Sequence, residues 1–308
     1  MKFALILSLA ILIDKILGDP KFLFHPVILI GKFISIFKYK NSFLQGLVVC
    51  VSTLTVTGFF VFFLLYVSNC SVIIQIYLLY SALAWRDLKD ETELIFSSLL
   101  KVDLIRARKF LSFVVGRDTE SLKYNEIVKA TIETISENSI DGVISVIFFA
   151  ALGYLINQSY GMCIIVWIFK AVNTLDSMIG YEKFQKFGTA SAKLDDILNF
   201  IPARVGGIII ILSGALMGGN LIRAIKIFLR DRKNHSSPNS AHGESAFSGV
   251  LNIRLGGAAI YGGKIKFRKY INVEAREPGI YDIMRAWKLL DISCSLFSII
   301  VICLLWKI

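Results

Sequence analysis

The 308-residue chain is predicted to be an all-α polytopic membrane bundle with cytoplasmic amphipathic helices and a glycine-rich loop region. Three observations predict it. Hydrophobic residues make up 55% of the sequence and the mean hydropathy is +0.65, too apolar for an ordinary soluble protein. Apolar runs of membrane grade recur along the chain, among them residues 44–67, and about 20 such residues cross a hydrocarbon core. Carboxylates persist between these runs, although each costs about 2.5–3.5 kcal/mol at mid-helix in lipid.

The formal net charge of +11 suits anionic lipid or anionic substrates, and the membrane setting argues against nucleic acid. The five cysteines lie in or beside apolar runs without a C-x-x-C spacing, so they read as small buried hydrophobes. His25, His235 and His242 form no H-E-x-x-H pattern, which excludes the usual zinc enzymes.

The whole chain, 1–308, reads as a single integral membrane domain. Residues 3–17 form a first apolar helix that is retained, because Asp14 and Lys15 follow its apolar run without a small-residue cleavage site. Gly18-Asp19-Pro20 stops it. A loop with Lys21, Lys32, Lys38 and Lys40 follows. Residues 44–67 and 72–85 make one hairpin of spans around a short polar turn, so Lys40 and Arg86 face the same side.

Residues 86–141 are charged and mostly helical, with amphipathic stretches at 102–115 and 125–138. Glu133, Glu137 and Asp141 recur every four residues and share one helix face, either as a solvated stripe or as working carboxylates. Residues 143–156 and 160–172 form a second hairpin. It delivers the polar stretch 173–204 to the same side. Residues 205–217, rich in glycine, are short for a span. Were they to cross, the basic region 220–290 would lie outside, against the positive-inside rule, so they read as re-entrant or buried. Residues 292–306 form the last span.

Asn173 and Asp176 are one helical turn apart, and Asp195 or Asp196 with Asn199 gives a second oxygen-rich turn. A few hard oxygen donors with room for water suit Mg²⁺ shared with a phosphate. They equally suit helix caps in a satisfied polar cluster. In Val115-Gly116-Arg117-Asp118-Thr119, Arg117 offers a fork for carboxylate or phosphate, while Asp118 or Thr119 equally fits an N-cap. Residues 236–263 hold Ser237, Asn239, Arg254, Gly256 and Gly257 in a loop dense with backbone donors, the kind that cradles anions or simply lies on a surface. No Walker A or Rossmann fingerprint is present.

These motifs, in this order, resemble the CbiB/CobD family of adenosylcobinamide-phosphate synthases in cobalamin biosynthesis. The matching residues are LGDP at 17–20 with His25-Pro26, VGRDT at 115–119 and ETISENSIDGV at 133–143. They continue with AVNTLDSMIGY at 171–181, FGTASAKLDDILNFIPAR at 187–204, SPNS at 237–240, Glu244, and RLGG with YGG at 254–263. The resemblance covers nearly the whole chain. It implies amide formation between a propionate carboxylate of adenosylcobyric acid and an aminoalcohol phosphate such as (R)-1-aminopropan-2-ol O-2-phosphate, with ATP and Mg²⁺ as the activating system. It further implies a multi-pass protein of the cell membrane, working in the lipid bilayer and alongside other late cobalamin-pathway membrane enzymes, and the positive-inside rule puts its site on the cytoplasmic face. Under it, Asn173, Asp176, Asp195 and Asp196 would hold Mg²⁺. Arg117, Asp118, Arg204, Ser237, Asn239, Arg254, Gly256 and Gly257 would bind substrate and phosphate. Glu133, Glu137 or Asp141 would orient the amine or take its proton. A membrane prenyltransferase using Mg-diphosphate is the rival enzyme, but a paired N-D-x-x-D signature is missing. A non-enzymatic membrane sensor is the other rival, and the acidic and VGRDT motifs it would have lost are intact.

Overall fold

The computed structural model describes residues 2–20, 25–39, 41–180 and 185–306. Lys21, Lys40 and Tyr181 lie outside the described residues. The chain is an all-α polytopic membrane bundle carrying one β-hairpin. Among the described residues, four helices are long and apolar enough to cross a membrane: Phe43–Val67, Tyr124–Ile156, Gly161–Ile179 and Tyr281–Leu305. A fifth arises if Lys186–Leu198 and Phe200–Leu216, broken at Asn199, count as one span. The chain divides into two compact units, one of Met1–Arg86, Gly142–Asn199 and Ser298–Ile308, the other of Asp87–Asp141 and Phe200–Phe297.

In the first unit α1 (Lys2–Leu17) ends where Gly18 turns to positive φ and its N–H donates to Asp14 O. α2 (Pro26–Ser35) starts on proline, whose missing N–H costs nothing in a first turn. α3 (Phe43–Val67) is capped by Ser42, which accepts from Gln45 N. Its Phe59, Phe63 and Tyr66 are exposed, as lipid-facing side chains should be. α4 (Val72–Tyr80) is only nine residues long, shorter than the stretch 72–85 expected there. The turn at Ser81-Ala82 ends it, and helix α5 (Trp85–Leu100) opens at Trp85.

α8 (Ser145–Ile156) and α9 (Gly161–Ile179) form the expected hairpin. Gly153 and Gly161 face each other across it, and a Cβ on either would run into the other's backbone. Trp167 Nε1 donates to Leu78 O at 2.9 Å, tying α9 to α4. α10 (Gln185–Leu198) packs on α3 and α9, with Gly46 set against the Phe187 backbone.

In the second unit, α5 is joined to α14 (Tyr281–Leu305) by Lys89 to Asp291 at 2.7 Å and Trp287 to Thr92 at 2.8 Å. Asp103 caps α6 (Leu104–Val114) by accepting from Arg106 N. α7 (Tyr124–Ser139) packs on α6 and continues through a π-helical turn at Ile140–Ile144.

α11 is a regular helix over Phe200–Leu216, beginning before Arg204 because Pro202 sits in its first turn, where a missing donor is tolerated. α12 (Leu221–Asp231), capped by Asn220, and α11 both pack on α13 (Ser240–Leu251). Gly207 lets Phe228 approach α11, and Gly214 does the same for Val250.

The glycine-rich stretch forms β1 (Leu255–Tyr261) and β2 (Lys264–Ile271), paired antiparallel. Gly262 and Gly263, both at positive φ, make the two-residue turn between Tyr261 and Lys264. A bulge falls between Leu255 and Gly257, where Gly256 has φ +79°.

Candidate active site

The second unit holds a buried charge cluster assembled from six separate segments. α7 presents Glu133, only 1% exposed. The loop after α6 brings Arg117, whose Nη2 donates to Glu133 Oε2 at 2.5 Å. β2 brings Arg268, whose Nη2 donates to the same oxygen at 2.7 Å. The bulge turns Gly256 N–H off the ladder, and it donates to Glu133 Oε1 at 2.8 Å. Both oxygens of Glu133 are therefore engaged. Burial works against the charge on Arg117 and Arg268, and Glu133 more than offsets it, holding both guanidiniums above their ordinary range.

α13 adds Glu244, also 1% exposed. Its Oε1 lies 3.5 Å from Arg268 Nη1 and 3.4 Å from His235 Nδ1. Burial first, and the charge of Glu133 second, push the Glu244 carboxyl well above the usual range, so it holds its proton. His235 is pushed down to about 4, by burial and then by Arg268, and is neutral. With Glu133 negative and two arginines positive, the cluster carries a net positive charge.

That charge faces an open cleft of about 590 Å³ lined by Arg117, Asp118, Thr119, Ser121, Gly262 and Gly263, among others. The VGRDT loop is fixed to the hairpin there: Asp118 N donates to Ile260 O at 2.8 Å, and Asp118 Oδ2 accepts from Gly263 N at 2.7 Å. Asp118 caps the hairpin turn rather than a helix.

The three acids expected on one face have different surroundings. Glu133 is buried, Glu137 is exposed, and Asp141 is half-buried within the π-helical turn. A four-residue step overshoots an α-helical turn by about 40° each time, and the π turn adds to the drift.

Arg204 Nη1 donates to Asn239 Oδ1 at 3.2 Å, so two expected phosphate ligands meet. Ser237 Oγ accepts from Asn239 N at 3.2 Å and shapes the same loop. Arg254 lies apart from this pair in its bonding: its Nε donates to Glu277 Oε1 at 2.9 Å, and its guanidinium lies over Tyr270. Gly257, at φ +95°, pairs with Arg268 across the hairpin.

The expected metal set lies in the first unit. Asp195 accepts from Asn199 Nδ2 at 3.0 Å and from Asn173 Nδ2 at 3.5 Å, and Ser145 Oγ donates to Asn199 Oδ1 at 3.0 Å. Asp176 lies on α9 with its carboxylate over Gly180, and Asp196 neighbours Asp195 on α10. Among the described residues, no group of three or more His, Cys, Asp or Glu side chains is gathered to hold a metal. Oxygen donors this few are too sparse for a closed protein cage, and are of the chemical type that Mg²⁺ takes where phosphate and water fill the rest of its shell. In the same unit the LGDP motif is locked by Tyr80, whose hydroxyl donates to Gly18 O, and Asp19 lies 3.2 Å from His25 Nε2.

Sequence reasoning missed Arg268 and His235 as site residues, and had Glu244 only as part of a motif. Arg268 alternates with Lys264 and Lys266, which reads as a solvated strand face. Only its pairing with Gly257 across the hairpin reveals where it points.

Comparison with known proteins bears on this arrangement. Residues 7–290 match the CobD/Cbib protein family. A protein of Clostridium tetani named cobalamin biosynthesis protein CobD is 42% identical over 279 residues, 85% of each chain. Its namesake in Clostridium acetobutylicum is 39% identical over 97% of this chain and 98% of its own. One from Leptospira interrogans is 32% identical over 94% of each. No solved structure matches.

Proposed function

This chain belongs to the CobD/CbiB protein family of cobalamin biosynthesis, and from that premise we propose that it is an amide-forming ligase. The reaction joins a propionate carboxylate of adenosylcobyric acid to the amine of an aminoalcohol phosphate, giving adenosylcobinamide phosphate. The observation that carries the reading is geometric. Motifs scattered through the chain, VGRDT, ETISENSIDGV, Glu244 and RLGG, meet in one buried cluster beside an open cleft.

A carboxylate does not react with an amine at neutral pH, because its leaving group is too poor. ATP would supply the phosphoryl group that turns the carboxylate oxygen into a leaving group, a new P–O bond forming as the bond to ADP breaks and ADP departs. The amine nitrogen then forms the C–N bond, the C–O bond breaks, phosphate departs, and the ammonium proton goes to a base. The chain's own part is positioning and charge neutralisation. Arg117 and the hairpin turn at the cleft, and Arg204 with Asn239, would bind phosphate groups. Glu133, bonded through both oxygens, suits holding Arg117 and Arg268 in place. Glu137 or Asp141, the other two acids of the same motif, would receive the proton. Asn173, Asp176, Asp195 and Asp196 of the first unit would hold Mg²⁺, and the ion would supply charge neutralisation for the reaction. The excess of basic residues over 220–290 supports a cytoplasmic reacting face, where other late cobalamin-pathway enzymes could take the product.

The test is direct. Purified protein with ATP, Mg²⁺, adenosylcobyric acid and (R)-1-aminopropan-2-ol O-2-phosphate should form adenosylcobinamide phosphate. Absence of product, with a labelled prenyl diphosphate consumed instead, overturns the proposal.

A further inference from the structure

Arg204 and Arg232 differ from most arginines around them. Arg117, Arg230, Arg254, Arg268 and Arg276 of the same unit each bond a carboxylate. Among the described residues, Arg204 and Arg232 bond none. Arg204 Nη1 donates to Phe200 O at 2.6 Å and to Asn239 Oδ1, and its guanidinium stacks 3.4 Å over the Phe200 ring. Arg232 lies 5.7 Å over Phe228, with its Nε buried and without a hydrogen-bond partner among the described residues. The Phe228 ring meets His242 edge-on at 5.6 Å. His242 is 1% exposed, and its Nδ1 is likewise buried without a partner among the described residues. Burial first, then Arg204, then Arg232, with Lys233 adding, push its imidazole down to about 4 against the opposing pull of the Asn239 backbone carbonyl. Cations crowd this place, and no carboxylate among the described residues answers them.

The crowding sits at the start of α13, a twelve-residue helix whose N-terminal amides and dipole also favour negative charge. Its N-cap, Asn239, does not cap through its side chain. The side-chain oxygen accepts from Arg204 instead. Two guanidiniums, a helix N-terminus and a buried imidazole with an open nitrogen together lack one partner, an anion of about two charges.

We propose that Arg204, Arg232, Asn239 and His242 form a binding site for a phosphate monoester dianion, with Arg232 and His242 as its unmarked members. The inference deepens the amide-forming reading, and rests on it for assigning the ester to the aminoalcohol phosphate. A phosphomonoester on a small amine and the headgroup of phosphatidic acid present the same group, so the test separates the two sources.

Detergent-purified protein is titrated calorimetrically with O-phosphoethanolamine and with inorganic phosphate. It is also reconstituted in nanodiscs of phosphatidylcholine with and without phosphatidic acid. Wild type should bind O-phosphoethanolamine, and Arg232→Ala should weaken binding about tenfold or more, as loss of a charge-assisted contact does. Arg232→Lys should recover part of it and guards against a folding defect in the alanine variant. At pH 5.5 most of the free phosphomonoester still carries its second proton, whose pKa is about 6, so binding as the dianion releases that proton while the His242 cation takes one up. The net uptake, read from buffers of different ionisation enthalpy, should therefore be higher for wild type than for His242→Gln.

Binding that appears only with phosphatidic acid discs, and still depends on Arg232, supports the site and assigns it to lipid. A folded Arg232→Ala protein that binds every probe as wild type does overturns the inference. The two readings fail separately. Product formed by Arg232→Ala at an unchanged KM for the aminoalcohol phosphate sinks this site and leaves the ligase standing. Arg232-dependent phosphoester binding by a protein that makes no product does the reverse.

Discussion

Glu133 and Glu244 share one guanidinium: Arg268 places Nη2 2.7 Å from Glu133 Oε2 and Nη1 3.5 Å from Glu244 Oε1. The two acids are equally buried, yet they stand in opposite protonation states. Glu133 has a second arginine and a backbone amide to sustain its charge. Glu244 Oε2 is buried without a hydrogen-bond partner among the described residues, so its carboxyl keeps the proton.

The two acids should therefore respond differently to the same substitution. Glu133→Gln leaves Arg117 and Arg268 facing each other without a counter-charge, and should destabilise the protein by about 3–5 kcal/mol, the cost of breaking a buried pair. Glu244→Gln mimics the protonated form and should match the wild-type thermal midpoint in detergent near pH 4 and exceed it at neutral pH, where the unfolded glutamate ionises and the glutamine cannot. Equal midpoints for wild type and Glu133→Gln would refute the keystone role of Glu133.

The pH dependence of stability has two arms of opposite sign. His235 and His242 are lowered to about 4, so their contribution is full above their ordinary value near 6.5 and is lost as pH falls towards 4. Glu244 is raised, so its contribution is full below the ordinary carboxylate range and is lost as pH rises through its folded value. Melting curves across pH should show His235→Gln flattening the acid arm and Glu244→Gln flattening the other. A Glu244→Gln profile that parallels wild type on the alkaline side contradicts the protonated state of Glu244.

Asp176→Asn and Asp196→Asn should raise the Mg²⁺ concentration needed for half-maximal ligase activity by about tenfold, as loss of one charged oxygen donor in a sparse site implies. The measurement is a magnesium titration of product formation on inserted, folded protein. Full activity at the wild-type magnesium requirement would remove these residues from the metal site.

Gly256 and Gly262 both have positive φ, but only Gly256 has backbone in the way of a side chain. A Cβ there would run into the Lys269 carbonyl, whereas at Gly262 it would meet open space. Gly262→Ala should cost about 1 kcal/mol of stability, and Gly256→Ala about 2–3 kcal/mol with loss of the Glu133 tether. Chemical denaturation of the two variants should rank them in that order, and the reverse ranking would refute the bulge as an anchor.

The membrane frame was legible from length and hydropathy alone, because α3, α8 and α9 announce themselves by apolar runs that no soluble core needs. The pairing of Arg204 with Asn239 followed motifs already visible. What stayed hidden depended on contacts between residues distant in the chain. Arg268 looks like one more basic residue of a solvated strand until Gly257 is placed opposite it. The stripe Glu133, Glu137 and Asp141 looked uniform because spacing reports which face a residue is on and says nothing of what covers that face. Arg232 closes a helix end, where a basic residue is ordinary, and only the lack of a carboxylate partner among the described residues sets it apart.

The hairpin's tether to α7 runs through the amide of Gly256 and the guanidinium of Arg268, and through neither of its exposed apolar side chains. The hairpin can therefore exchange its exposed Ile265 and Phe267 without loosening its own mooring. Surface decoration and attachment thus fall to different residues of the hairpin, and the charge cluster beneath does not depend on what Ile265 and Phe267 present to the outside.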